Sequence, residues 1–155
     1  MSTAGLTVAE ANNFLALEPR LLALIAQAVA GLSPAVHVLS AADIPAAREA
    51  AQRTPAVLLV YGGYRVVEDL RTAWRLAHTW HVVVTVRNVA TARSGQAARQ
   101  DAGPLLARVM TALSGAAVEG AATLLTPVTP APAQYEEGFQ AVPSAFEVET
   151  IFRKP

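Results

Sequence analysis

The chain has no cysteine, a single lysine, few aromatic residues and little charge of either sign. The absence of cysteine excludes disulfides, thiolate catalysis and cysteine-ligated metal. Charged residues make up 15% of the 155 positions, against about a quarter in ordinary soluble proteins. A surface so poor in charge offers neutral or apolar area, which marks partner interfaces. Alanine supplies much of the apolar count and buries little area, which weakens that argument. Acids and bases number 12 each, so no global field draws the chain toward nucleic acid or membrane. Aromatics at 6% are also too few to interleave a nucleic-acid surface. Lys154 is the lone lysine beside many arginines. With the alanine excess, this fits a GC-rich coding sequence, so arginine identity alone is no sign of function.

Motifs that carry chemistry are missing as well. His78 and His81 would point to opposite faces of a strand and cannot chelate one ion. Neither they nor His37 has a carboxylate cluster beside it, so no metal site is expected. Gly62-Gly63 lacks the Lys-Ser/Thr of a phosphate loop, and no dinucleotide fingerprint occurs. No Gly-x-Ser-x-Gly nucleophile turn is present. The expectation is no catalytic residue, no cofactor and no enzyme. Leu21 to Leu32 imitates a signal-peptide core, but Glu10 and Glu18 stand where such a peptide is basic. The run is also too short to span a bilayer and reads as a buried helix.

What is present is an α/β pattern in one domain, 1–155. Thr7 is placed to cap a first helical stretch holding Phe14, Leu15 and Leu17. Pro19 suits the first turn of a second helix, whose Leu21, Leu22, Ile25, Val29 and Leu32 form one apolar stripe. Gly31 and Ser33-Pro34 end it. Val36 to Leu39 reads as a short strand and Asp43 to Gln52 as a short helix. Ala56 to Tyr61 is continuously apolar, a strand buried on both faces. Gly62-Gly63 permits a tight reversal, with Tyr64 to Val67 beginning the partner strand. Glu68 to Arg75 is compatible with helix or loop.

From Thr79 the alternation is clean. Trp80, Val82, Val84 and Val86 share one face; Thr79, His81, Val83, Thr85 and Arg87 share the other, half-polar one. Gln96 to Leu113 is a helix with Ala102, Leu105, Val109 and Leu113 on its apolar side, and Gly103-Pro104 should kink or split it. Ala121 to Val128 reads as a strand. Pro127, Pro130 and Pro132 make an extended connection outside the central sheet. Tyr135 to Gly138 reads as a turn, and Phe146 to Arg153 as the last strand.

Charge is unevenly distributed. From Arg65 to Arg108 seven arginines face only Glu68, Asp69 and Asp101, whereas Glu119 to Glu149 holds acids and no base. Two readings stay open. The basic middle matches the acidic third within one fold, or it meets the acids of another copy, as head-to-tail rings do.

An ordered set of features suggests a family. Thr54-Pro55 precedes an apolar strand ending Tyr61-Gly62-Gly63, and Trp80 opens a valine-rich strand ending Arg87-Asn88. Ala102-Gly103 lies inside a helix finishing Ala112-Leu113-Ser114-Gly115. Tyr135-x-x-Gly138-Phe139 then leads to Ala145-Phe146-Glu147. Together they span Leu21 to Phe152 and resemble the Mu-like class of phage tail terminator (tail completion) proteins, related in fold to lambda-type terminators. Pro104 directly after Gly103 departs from a straight helix.

The resemblance implies an α/β (α+β) fold with helices packed on one face of a mainly antiparallel sheet. It implies a hexameric ring that caps the head-proximal end of the tail tube, stops its polymerisation and receives the neck. Expected partners are other copies, tail tube protein, neck or connector protein and, in a contractile tail, sheath protein. DNA passes through the lumen without specific binding, no membrane is involved, and the location is the virion, with the host cytoplasm during assembly. Val83, Thr85 and Arg87, with the loop from Asn88 to Gly95, are the expected subunit or lumen contacts. Arg87, Arg93 and Arg99 are expected to meet Glu136 and Glu137 of an adjacent copy. Two alternatives stand beside this: another head–tail connector protein, or a small-molecule or peptide-binding module with a pocket of Tyr61, Trp74 and Trp80.

Overall fold

The computed structural model describes residues 7–41, 54–87, 96–136 and 139–155. Among the described residues three helices, α1 (Val8–Ala11), α2 (Glu18–Val29) and α3 (Gln96–Leu113), accompany six strands. The strands are β1 (His37–Ala41), β2 (Ala56–Asp69), β3 (Ala73–Arg87), β4 (Thr126–Val128), β5 (Gln134–Glu136) and β6 (Phe139–Arg153). They form one sheet in the order β1-β2-β3-β6-β4, with β5 also paired to β6. Only β1 and β2 run parallel; the other pairings are antiparallel. This is the α+β architecture expected. The expected helix from Asp43 to Gln52 lies outside the described residues.

Alternation along β3 decides which face carries the core. Trp80, Val82, Val84 and Val86 pack with Val57, Leu59 and Phe146 beneath the stripe Leu21, Ile25 and Val29 of α2. Ala102, Leu105, Val109 and Leu113 bring α3 onto the same cluster. Both long helices therefore cover one face of the sheet. Arg108 ties them together by donating from Nε to the Ala28 carbonyl at 2.6 Å, satisfying an acceptor that the end of α2 leaves open. Residues of opposite parity form a second buried cluster of Ala56, Leu58, Val60, Val83, Phe139 and Ala141. The continuous burial from Ala56 to Val60 is the two-faced strand expected from the apolar run.

Several expectations need correction. Gly62-Gly63 does not reverse the chain. β2 runs through it to Asp69, and the register slips between Tyr61 and Tyr64 as a bulge. Gly63 takes φ of +99°, and a Cβ on Gly62 would lie 2.5 Å from His81 Nε2. The pair thus serves a bulge and a close ring contact, both common uses of glycine in strands. Tyr64 to Val66 consequently belongs to β2 itself, opposite His78 to Leu76. The reversal comes at Arg71, whose φ is +73°. There Leu70 N–H bonds Ala73 O at 2.8 Å and Asp69 Oδ1 accepts from Arg71 N–H at 2.9 Å.

Thr7 caps α1 through a reciprocal capping box with Glu10, but the helix ends at Ala11, so Phe14, Leu15 and Leu17 lie beyond it. α3 runs unsplit through Gly103-Pro104, and both residues sit on its exposed side. Strand pairing near Ala121 to Val128 is confined to β4, and Tyr135 belongs to β5 rather than a turn. β6 begins at Phe139, earlier than expected. Pro143 pairs with Val83 of β3 and falls between the stretches of β6 that pair with β4 and β5, so no partner strand is in register with it on the outer edge.

Candidate functional site

The strand register locates each expected contact residue. Val83 and Thr85 are 1% and 0% exposed, enclosed with the second cluster of this same chain, so neither has surface to give another copy. Burial from both sides of the sheet is why a half-polar alternation did not signal exposure. Arg87 is exposed at the end of β3. It pairs with Phe139, which pairs with Glu136 across β6. Arg87 and Glu136 thus stand on one face two strand spacings apart, roughly 10 Å between backbones. Arg93 and Glu137 lie outside the described residues, as do the side chains of Arg99 and Glu136.

Elsewhere the uneven charge is matched within the chain. Arg65 reaches Glu147 at 2.8 Å, and Arg75 lies between Glu68 at 3.8 Å and Glu149 at 3.7 Å. For Arg65 and Arg75, the basic middle does face the acidic C-terminal third of one fold. Lys154 donates to Asp69 at 2.5 Å and holds that carboxyl below its usual range.

Beneath that end of the sheet lies a polar contact missed by sequence reasoning. His78 is 2% exposed; its Nδ1 is 2.8 Å from the Tyr61 hydroxyl and its Nε2 is 2.7 Å from Thr150 Oγ1. Both hydroxyls donate or accept, so either neutral tautomer is satisfied. Burial lowers the His78 pKa, keeping the ring neutral, and burial with the nearby Tyr64 pushes Tyr61 up to about 12. Phe14 packs edge-on against Tyr64, His78 and Phe152 at 4.7, 5.8 and 5.7 Å. The arrangement is a structural plug. His78 faces no carboxylate in these contacts, and the described residues contain no group of three or more side chains that could hold a metal ion.

The alternative pocket of Tyr61, Trp74 and Trp80 does not form. Tyr61 and Trp80 rings are in contact at 4.8 Å, with Trp80 1% exposed, while Trp74 packs on Phe152. Trp74 is six residues along β3 from Trp80, roughly 20 Å away.

A concavity lies at the opposite end of β3. A cleft of about 380 Å³ opens between α3, the end of β3 and the segment leading into β1. Leu32, Pro34, Val36, Pro55, Val86 and Leu105 make its apolar wall. Arg87 and Arg108 are its charged lining residues, and both are exposed. The segments that build it are far apart in sequence, and no local motif marks it. Its lining is mostly apolar, with the Ser33 hydroxyl and the two arginines as its polar side chains.

Comparison with known proteins agrees with a structural role. No curated protein matches the chain. A chain from the virion of a native gene transfer agent particle is similar over 97% of this chain and 98% of its own, at 17% identity and a TM-score of 0.48. That likeness is too slight to carry the argument. The family model for the phage tail terminator protein matches residues 11–155. Nearly the whole chain, including every strand and both core helices, falls within that match. Members of that family are non-enzymatic structural proteins of the virion, and this chain belongs to the phage tail terminator family.

Proposed function

We propose that this chain is the subunit of a hexameric ring that caps the head-proximal end of the tail tube, in the manner of the Mu-like class. One face of the ring matches the last tube ring. The other presents a surface that tube protein cannot extend and that the neck or connector protein joins. DNA passes through the lumen without specific contacts, and in a contractile tail the ring also meets the sheath. The observation that carries this reading is the family match over residues 11–155. The low charge fraction supports it, since a ring subunit buries surface against two neighbours.

Within this reading Arg87, Arg93 and Arg99 meet Glu136 and Glu137 of the adjacent copy. Val83 and Thr85 are left out because the fold encloses them. Purified protein, alone and mixed with its tube protein, tests the function by negative-stain imaging. Rings seated on tube ends that halt growth are the expected result; side binding or no binding overturns it. Arg93→Glu with Arg99→Glu should dissociate the rings without unfolding the subunit. Survival of the oligomer in native mass spectrometry would refute that contact set.

A further inference from the structure

We propose that the cleft beside Arg87 and Arg108 receives the proline-rich connection, residues 129–133, of a neighbouring copy. The inference rests on the ring reading and specifies which surfaces join. Its first support is the chemistry of the two surfaces. The cleft is walled by aliphatic and proline side chains and carries two arginines. The connection between β4 and β5 reads Thr129-Pro-Ala-Pro-Ala133, and all but its last residue are exposed. Glu136 and Glu137 follow shortly after, giving the acids that the two arginines call for.

Backbone chemistry adds a second support. An extended segment buried in an apolar cleft leaves amide donors without water, which is costly. Pro130 and Pro132 have no N–H to lose, and proline holds the chain extended before it binds. Ordering such a segment therefore costs less than ordering a flexible one. Its exposure in the single chain shows that its own fold leaves those side chains unburied.

Topology supplies the third. The cleft lies where β2 begins and β3 ends, with the chain entering β1 on its far side. The proline-rich connection runs along the outer side of β6, at the other edge of the sheet. The two surfaces are different and complementary, as a head-to-tail ring requires, with Arg87 of the cleft two strand spacings from Glu136 of the same chain. A two-fold dimer would instead use one surface twice.

The absence of cysteine makes the test clean. Ser33→Cys in the cleft is combined with Ala131→Cys in the connection, and the protein is oxidised and run on a non-reducing gel. The expected result is a ladder of covalent oligomers, lost on reduction and weakened by adding Arg87→Glu. The control pair Val66→Cys with Ala131→Cys, using the distal hairpin, should give no ladder. A fast-migrating cross-linked monomer would show the connection folding back onto its own cleft and would overturn the proposal. So would an equal ladder from the control pair. Native mass spectrometry of the unmodified chain separates the two readings. Rings without a Ser33–Ala131 ladder overturn the cleft contact alone, and a ladder without closed hexamers overturns six-fold closure alone. Neither rings nor ladder overturns both.

Discussion

Removing the hydroxyl of Thr150 while keeping its shape should measure the buried His78 contact directly. In Thr150→Val, His78 Nε2 loses the partner now at 2.7 Å, in a site where the ring is 2% exposed. Water cannot readily replace the bond, so the variant suffers the desolvation penalty of an unsatisfied polar atom, about 1–3 kcal/mol. For a chain of 155 residues, each kcal/mol lowers Tm by about 2–4 °C. The expected fall is therefore roughly 2–12 °C. Thr150→Ser keeps the donor and should lose less. Urea unfolding followed by tryptophan fluorescence is a suitable assay, because Trp80 is buried and its ring lies 4.8 Å from that of Tyr61. Measurement at two protein concentrations separates subunit stability from any contribution of assembly. If Thr150→Val unfolds within about 0.3 kcal/mol of the parent, far below the cost of one unmade buried bond, the His78 contact is incidental and this reasoning fails.

The same histidine sets a pH dependence. Burial lowers its pKa in the fold, so the unfolded chain takes up a proton first as pH falls below about 6.5. Its contribution to stability is complete above that value and is lost as pH falls through the folded pKa, at no more than about 1.4 kcal/mol per unit for one proton. Unfolding curves between pH 8 and 5 should show the loss, and His78→Phe should flatten it. Gly63→Ala places a side chain at φ of +99° with no neighbour within 4 Å. The cost is then purely backbone, about 1–3 kcal/mol, and no compensating core substitution should rescue it. Gln140 is 3% exposed, and its Oε1 has no hydrogen-bond partner among the described residues. Gln140→Met should be neutral or raise Tm, because it removes an unpaired polar oxygen; a fall of several degrees would reveal a partner for the amide.

The elements legible in the sequence were those whose burial follows a local period. The valine alternation of β3 and the Leu21–Ile25–Val29 stripe of α2 both point into the core cluster. The unbroken apolar run from Ala56 was buried on both faces. Elements decided by pairing with distant strands were harder to read. Gly62-Gly63 looks the same in sequence as a turn or as a bulge, and only the register against Trp80 and His78 distinguishes them. The last strand was read from Phe146 on, where the alternation is clear, whereas β6 begins at Phe139, in a stretch held by pairing with β3 and β5. The candidate site was less legible still. Arg87 was identifiable from the end of its strand, but the cleft beside it joins residues from Leu32 to Arg108.

Charge is arranged differently at the two ends of the sheet. Around the β2–β3 turn, Arg65, Arg75 and Lys154 each lie against a carboxylate of the same chain. Exposed pairs of this kind contribute about 0–1 kcal/mol each, and Arg71 and Arg153 at the same end are exposed and outside those pairs. At the other end Arg87 and Arg108 line an apolar cleft, and neither forms an ion pair among the described residues. Glu136 stands in register with Arg87 across β6 on the same chain. In the ring proposed above, Glu136 of the same chain and Glu136 of the neighbouring copy are alternative partners for Arg87, and an exposed pair of either kind contributes about 1 kcal/mol or less.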